Sequence, residues 1–266
     1  MPLKQAVTIL TVAATGIFAQ ALPARPKFDA FEVATIKPAV DSPGRYIRMP
    51  SVDRFYAKGF TLNALVAAAY SLSPKAISGG APWTDSDRYD ILASTPGEIQ
   101  PNLDEQMAML RKLLTDRFQL TFHREAKELP VFAITVAKAG SKLKPSAAPP
   151  GTLPELINVI YPEEKGGVHV MLPARNATIP QFATMMQRTV LDRPVVDQTG
   201  LSGTYDFDLE WTPDENQFGG SLPRSVESTK PSLFVAMQEQ LGLRIEATKG
   251  PVQALVIDRV ERPSEN

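Results

Sequence analysis

The second half of this chain echoes the first. Thr61-Leu62-Asn63-Ala64-Leu65, an Ile77-Ser78-Gly79-Gly80 turn and Tyr89-Asp90-Ile91 return as Thr178-Ile179-Pro180-Gln181-Phe182, Val195-Val196-Asp197 and Tyr205-Asp206-Phe207. Further on, residues 114–122 align with 237–245, and Pro130-Val131-Phe132-Ala133-Ile134 with Pro251-Val252-Gln253-Ala254-Leu255. Such an echo confines the fold to two units of like architecture. It also sets how shared residues are read, since both copies must pack while chemistry needs only one. Shared side chains are assigned to the scaffold, and unshared ones become the candidates for function.

Local periodicity gives each unit its elements. Phe31-Glu32-Val33-Ala34-Thr35-Ile36 alternates as a half-buried strand and opens the first unit. Thr61 can cap a helix whose inward face is Leu62, Leu65, Val66, Ala69 and Tyr70. In the second unit Thr178 starts the equivalent helix, with Pro180 in its first turn and Gln181 at the capping-box position. A Gly-bearing turn and a Tyr-Asp strand follow in both units. A second helix then spans Asp104 to Phe118, with its counterpart starting at Ser232 as N-cap. Each unit is expected to close with two strands: 119–124 with 131–136, and 243–247 with 254–260, Lys249-Gly250-Pro251 forming the later hairpin turn. The expected fold is α+β: two tandem repeats, each roughly β-α-β-α-β-β, packed about a pseudo-twofold axis. The repeats occupy residues 28–138 and 168–262, with a proline-rich linker over 139–167.

Lys4, an uncharged run over residues 6–18 and Ala19-Gln20-Ala21 have the form of a secretory signal cleaved near Ala21, residues 1–21 being the signal peptide. The run is shorter than the roughly 18 to 20 residues of a spanning helix, and no later segment replaces it. Secretion or a periplasmic location is therefore expected, with no transmembrane segment once the signal is removed. The chain has 0 cysteines, which excludes disulfides, thiolate nucleophiles and cysteine metal ligands. Lysine and arginine number 28 against 29 acids, so no overall field favours nucleic acid or another polyanion.

Candidates for chemistry are few. Asp85, Asp87 and Asp90 crowd Arg88 beside Trp83, and paired carboxylates could act as acid and base in a hydrolase. Against this, Asp90 recurs as Asp206 and Tyr89 as Tyr205, which suits hydrogen bonds holding a turn to a strand, while Asp85 and Asp87 suit turns. Gly200 and Gly203 read as turn formers before the Tyr205 strand. Trp83 and Arg88 have no twin, Leu201 and Thr204 standing in their places, so these two are the candidate ligand-binding residues. The two histidines, His123 and His169, lack any zinc spacing and are assigned to the surface, so neither metal nor cofactor is expected. Ser141-Lys142-Leu143-Lys144 matches a Ser-x-x-Lys pattern, but Gly140 and Pro145 disfavour the helix that pattern requires.

Several stretches resemble a known family. Residues 31–38, Ile77-Ser78-Gly79-Gly80-Ala81-Pro82-Trp83, Asp87-Arg88-Tyr89-Asp90-Ile91, residues 116–120, residues 193–207 and Gln240-Leu241-Gly242-Leu243 are similar to a large uncharacterised family of secreted soil-bacterial proteins, abundant in acidobacteria. The resemblance implies a domain of unknown function behind a signal peptide, sometimes attached to membrane peptidases of the β-lactam-sensor type. It carries no catalytic residues. Residues 231–260 also resemble the short partner-binding modules at the N-termini of secretins and outer-membrane receptors. Together these readings imply an extracytoplasmic, non-catalytic module binding a protein or small molecule in the cell envelope, in a cleft between the copies. The alternatives are a hydrolase acting on envelope polymers or glycans through Asp85, Asp87 or Asp90, and a purely structural envelope protein.

Overall fold

The computed structural model describes residues 26–40, 44–225, 228 and 230–263. The signal-like segment, with its expected cleavage near Ala21, lies outside the described residues. The first half runs β1 (Val33–Pro38), β2 (Tyr46–Ser51), β3 (Arg54–Thr61), α1 (Leu62–Ala69), β4 (Ile77–Gly79), α2 (Trp83–Ser86), β5 (Arg88–Ser94), α3 (Leu103–Phe118) and β6 (Thr121–Val136). The second runs β7 (Lys144–Pro145), β8 (Glu155–Leu156), β9 (Val159–Pro162), β10 (Val168–Ala177), α4 (Ile179–Met185), β11 (Val195–Asp197), β12 (Tyr205–Trp211), α5 (Leu233–Ala236) and β13 (Leu243–Arg259). Helices and sheets are mixed as α+β. The strands form three sheets, ordered β1-β5-β3-β2, β7-β12-β10-β8 with β9 also on β10, and β11-β6-β13-β4.

The expected closing hairpins do not form. β6 and β13 are single strands of 16 and 17 residues, and they pair with each other, antiparallel, from Leu243 opposite Val136 to Arg259 opposite Thr121. Lys249-Gly250-Pro251 lies mid-strand, opposite Pro130-Leu129-Glu128. The physical reason is visible in the phase of the ladder. Phe132 N–H points away from β13, to the Pro194 carbonyl at 2.8 Å. Residues two apart point the same way, so Pro130, and Pro251 opposite Glu128, direct their missing donors to the open edge rather than into the ladder. Pro251, read as part of a turn, and Pro130 are tolerated here as edge residues. From β3 the chain runs β3-α1-β4-α2-β5-α3-β6 and from β10 it runs β10-α4-β11-β12-α5-β13, each stretch ending in one long arm.

The register also moves the expected alignment of 130–134 with 251–255 by two residues. β11 pairs in parallel with Phe132–Ile134, whereas β4 pairs in parallel with Leu255–Ile257. The arms begin alike, after left-handed C-caps at Gln119 (φ 52) and Gly242 (φ 64). Residues 139–167, expected as a linker, carry β7, β8 and β9, all hydrogen-bonded into the second sheet. Between Ile36 and α1 lie two strands missing from the sequence reading. In β3 the alternation of buried Phe55 and Ala57 with more exposed neighbours is a period-2 signal that could have found it.

Helix starts follow the cap chemistry. Thr61 Oγ1 accepts from Ala64 N–H, Asn102 and Glu105 form a capping box on α3, and Thr178 and Gln181 form one on α4. Ser232 occupies the N-cap position of α5, but its hydroxyl makes no capping bond; the helix is held instead by Ala236 N–H on the Ser232 carbonyl. α4 and α5 each run on into a π-helical turn, Met186–Val190 and Met237–Leu241.

Two apolar cores result, and the arms lock them together. The first joins Leu62, Leu65, Leu110, Leu114 and Phe118 to Phe55 and Ile91, and Leu255 and Ile257 of β13 complete it. The second joins Phe182, Met186, Leu233 and Met237 to Leu172, Leu209 and Trp211, and Phe132 and Ile134 of β6 complete it. Each half therefore packs against the arm of the other.

Candidate functional site

The matching positions flagged in sequence sit on matching bulges. Against β5, the register of β3 shifts between Ala57 and Phe60; Gly59 there has φ 71 and donates its N–H to Asp90 Oδ1 at 2.9 Å. Against β12, β10 shifts between Ala174 and Ala177; Asn176 has φ 51 and donates its N–H to Asp206 Oδ1 at 2.8 Å. Two residues further on come the capping threonines, Thr61 and Thr178. This N–H, with the Ser146 hydroxyl and Arg175 nearby, holds the Asp206 carboxyl below its usual range. The tyrosines differ more. Tyr89 is buried edge-on to Phe118 and Trp83, whereas Tyr205 is half-buried and donates its hydroxyl to the Ser202 carbonyl at 2.9 Å. Gly200 and Gly203 have φ 69 and 95, conformations that side chains resist.

Trp83 starts α2 and is already covered. The Arg262 guanidinium lies 5.0 Å over its ring and makes a forked contact with Asp87 Oδ2 at 2.9 and 3.0 Å. Arg88 is exposed and reaches the Gly59 carbonyl at 3.4 Å. Asp85 accepts from Asn63 Nδ2 at 2.6 Å. The three carboxylates named for a hydrolase are thus engaged by three separate partners: Asn63, Arg262 and the Gly59 amide.

A polar cluster not anticipated from sequence gathers around His169 on β10. Its ring stacks on Tyr161, with centroids 5.2 Å apart; Nδ1 lies 3.5 Å from Glu163, and Nε2 lies 3.2 Å from Glu210, which Lys230 also holds at 2.8 Å. Ser225 and Ser228 donate their hydroxyls to Glu163 and, with His169, keep that carboxyl below its usual range. His169 is only 20 % exposed at its side chain, so the surface assignment is corrected. The imidazole bridges two carboxylates on opposite nitrogens, which prevents them from converging on a common point. Among the described residues no group of three His, Cys, Asp or Glu can hold a metal ion. The cluster draws on β9, β10, β12 and the segment near Ser228, and no single stretch of sequence announces it. His123 is exposed and meets Asp258 at 2.8 Å.

A concavity of about 210 Å³ lies where the halves meet. Arg45, just before β2, and Tyr46 of β2 join Phe60 of β3, α1 and the turn after it supply Ala64 and Leu72, and the π-helical turn after α4 supplies Arg188. That turn is anchored across the junction: Gln187 donates to the Ser71 carbonyl at 2.6 Å and accepts from Val195 N–H at 3.1 Å. Nearby, Lys75 and Asp192 make a 2.6 Å ion pair, also between halves. Arg45 packs over Phe60 at 5.3 Å. Arg188 is half-buried, and burial lowers its pKa against the opposing pull of Asp104. None of Asp85, Asp87 and Asp90 lines this concavity or a second one, of about 170 Å³, between Phe31 and Arg117.

Among the described residues no helix is long and apolar enough to cross a membrane. No curated protein and no solved structure matches the chain. One family model does match, over residues 63–260, which runs from the second residue of α1 past the end of β13 and leaves β1, β2 and β3 outside. The chain therefore belongs to the family described as protein of unknown function, DUF3738.

Proposed function

We propose that this protein is an extracytoplasmic, non-catalytic binding module that holds a small ligand in the groove between its halves. The observation that carries the reading is the groove itself: a concave surface of mixed polar and apolar lining, built from the first half and closed by Arg188 of the second, with two guanidinium groups among its walls. The start of the sequence, with its signal-like run, supports a place outside the cytoplasm. The scattered engagement of Asp85, Asp87 and Asp90 favours binding over hydrolysis, because acid and base would have to face one reacting bond. Trp83 and Arg88, unshared between the halves, serve in this reading as supports for the α2 corner and the β3 bulge.

The halves are read as descendants of one doubled unit related by a pseudo-twofold axis. The like order of β3-α1-β4-β5-α3-β6 and β10-α4-β11-β12-α5-β13, interrupted in the first by α2, the paired bulges capped by Asp90 and Asp206 and the crossed arms support that descent. Ala68 lines the groove and is part-exposed, so Ala68→Trp fills the site at little cost to the core. A ligand found by thermal-shift screening of the wild type is expected to lose its effect on Ala68→Trp while the free variant melts within a few degrees of wild type. Undiminished stabilisation of the variant places the ligand elsewhere and ends the reading.

A further inference from the structure

We propose that the groove takes a small carboxylic acid, its carboxylate on Arg188 and Arg45 and its aliphatic or aromatic body on the apolar floor; this rests on the groove being the binding site. The argument starts from Arg188. A guanidinium carries five donors and stays charged, so a half-buried one is costly unless an anion or carbonyl meets it. Among the described residues Arg188 has no hydrogen bond and no carboxylate within ion-pair distance, Asp104 acting on it only at longer range. The neighbouring Lys75 is neutralised by Asp192, as is Arg193 at 3.1 Å. Among the described residues Arg188 is therefore a cation with no anion in contact, and it lies in the wall of a cavity.

Arg45 faces the same space from the residue before β2. Among the described residues its guanidinium is matched to the Phe60 ring, a contact that orients the plane and leaves its edge donors for a ligand. Two forked donors in one concavity, with no acid among the described residues that line it, fit an oxyanion, for which guanidinium geometry is suited. The rest of the lining selects the body. Phe60, Ala64, Ala67 and Leu72 are apolar, and a volume of about 210 Å³ suits a short acyl chain or a single ring. Inorganic phosphate or sulfate would use the arginines but leave that floor wet; a neutral apolar molecule would leave two guanidinium groups facing it unpaired. The π-helical turn that presents Arg188 is clamped by Gln187 to both Ser71 and Val195, so the backbone that carries the cation is anchored across the junction.

The test uses the mature chain at low ionic strength, with hexanoate, hexanamide and hexyl phosphate as probes, followed by amide chemical shifts and titration calorimetry. Hexanoate is expected to bind at least tenfold more tightly than hexanamide and to shift residues of β2, α1 and the 186–190 turn. Arg188→Gln and the exposed Arg45→Gln are each expected to weaken hexanoate at least tenfold while leaving hexanamide within twofold. Equal affinity for acid and amide, tighter binding of hexyl phosphate than of hexanoate, or hexanoate affinity untouched by both substitutions overturns the carboxylate assignment and leaves the groove standing as a binding site. If no probe moves a groove resonance up to millimolar concentration, both the assignment and the groove reading fall.

Discussion

Asp90 shows how a single side chain can be claimed by chemistry or by structure and how geometry decides. Its carboxylate accepts from the left-handed Gly59 amide at a bulge, a donor that the strand ladder leaves unpaired. Asp90→Ala should therefore cost about 1–2 kcal/mol in denaturant unfolding, the loss expected when a part-buried donor is orphaned. An unchanged midpoint would remove Asp90 from the scaffold. Glu163 gives a pH-dependent case. The Ser225 and Ser228 hydroxyls and His169 depress its folded pKa below the ordinary 4.5, so its stabilisation is complete above that value and is lost as pH falls through the lower folded value. Melting temperatures between about pH 3 and 6 should consequently fall less steeply for Glu163→Gln than for wild type. Asp90 and Asp206 could be singled out from sequence because they repeat. The partners of Glu163 could not, since Ser225, Ser228 and His169 reach it from separate segments.

Among elements, the crossed arms β6 and β13 carry the greatest weight. Both were divisible on paper, because Pro130 and Lys249-Gly250-Pro251 look like turns when no neighbouring strand is known. Whether a proline breaks a strand depends on which way its missing N–H points, and that direction follows from partner and register. The short strand β4 depends on the same arm. Gly79 has φ 79, and a Cβ there would come within 2.5 Å of the Ile257 carbonyl oxygen. Gly79→Ala should thus loosen the β4–β13 edge and lower stability by about 1–3 kcal/mol, with amide exchange rising first at Ile77 and Leu255. Exchange rising only elsewhere would show that β4 is held by other contacts. Helix positions were easier to read from sequence: the inward faces of α1 and α3 and the caps Thr61 and Thr178 depend on spacing within one turn, which no distant residue alters.

For the whole molecule, the exchange of arms makes the halves interdependent. A fragment of residues 26–138 lacks Leu255 and Ile257, which are nearly inaccessible in the first core, and lacks the partner strand of both β4 and β6. Burying two such side chains is worth roughly 3–6 kcal/mol, comparable to the whole stability of a small domain. The fragment is expected to be unfolded by circular dichroism and to gain structure when mixed with residues 139–263; a cooperative melt of the fragment alone would contradict this. From sequence alone follow the mixed helix and strand content, the capped starts of α1 and α4 and the inward positions of the helices, because each rests on spacing within a few residues. Only the tertiary structure decided that the last strands cross between halves, that residues 139–167 join a sheet, that His169 meets two glutamates and that Arg188 lines a groove with Arg45. Those features arise from pairings between segments far apart in the chain, whose direction and register depend on how the whole molecule closes its two cores.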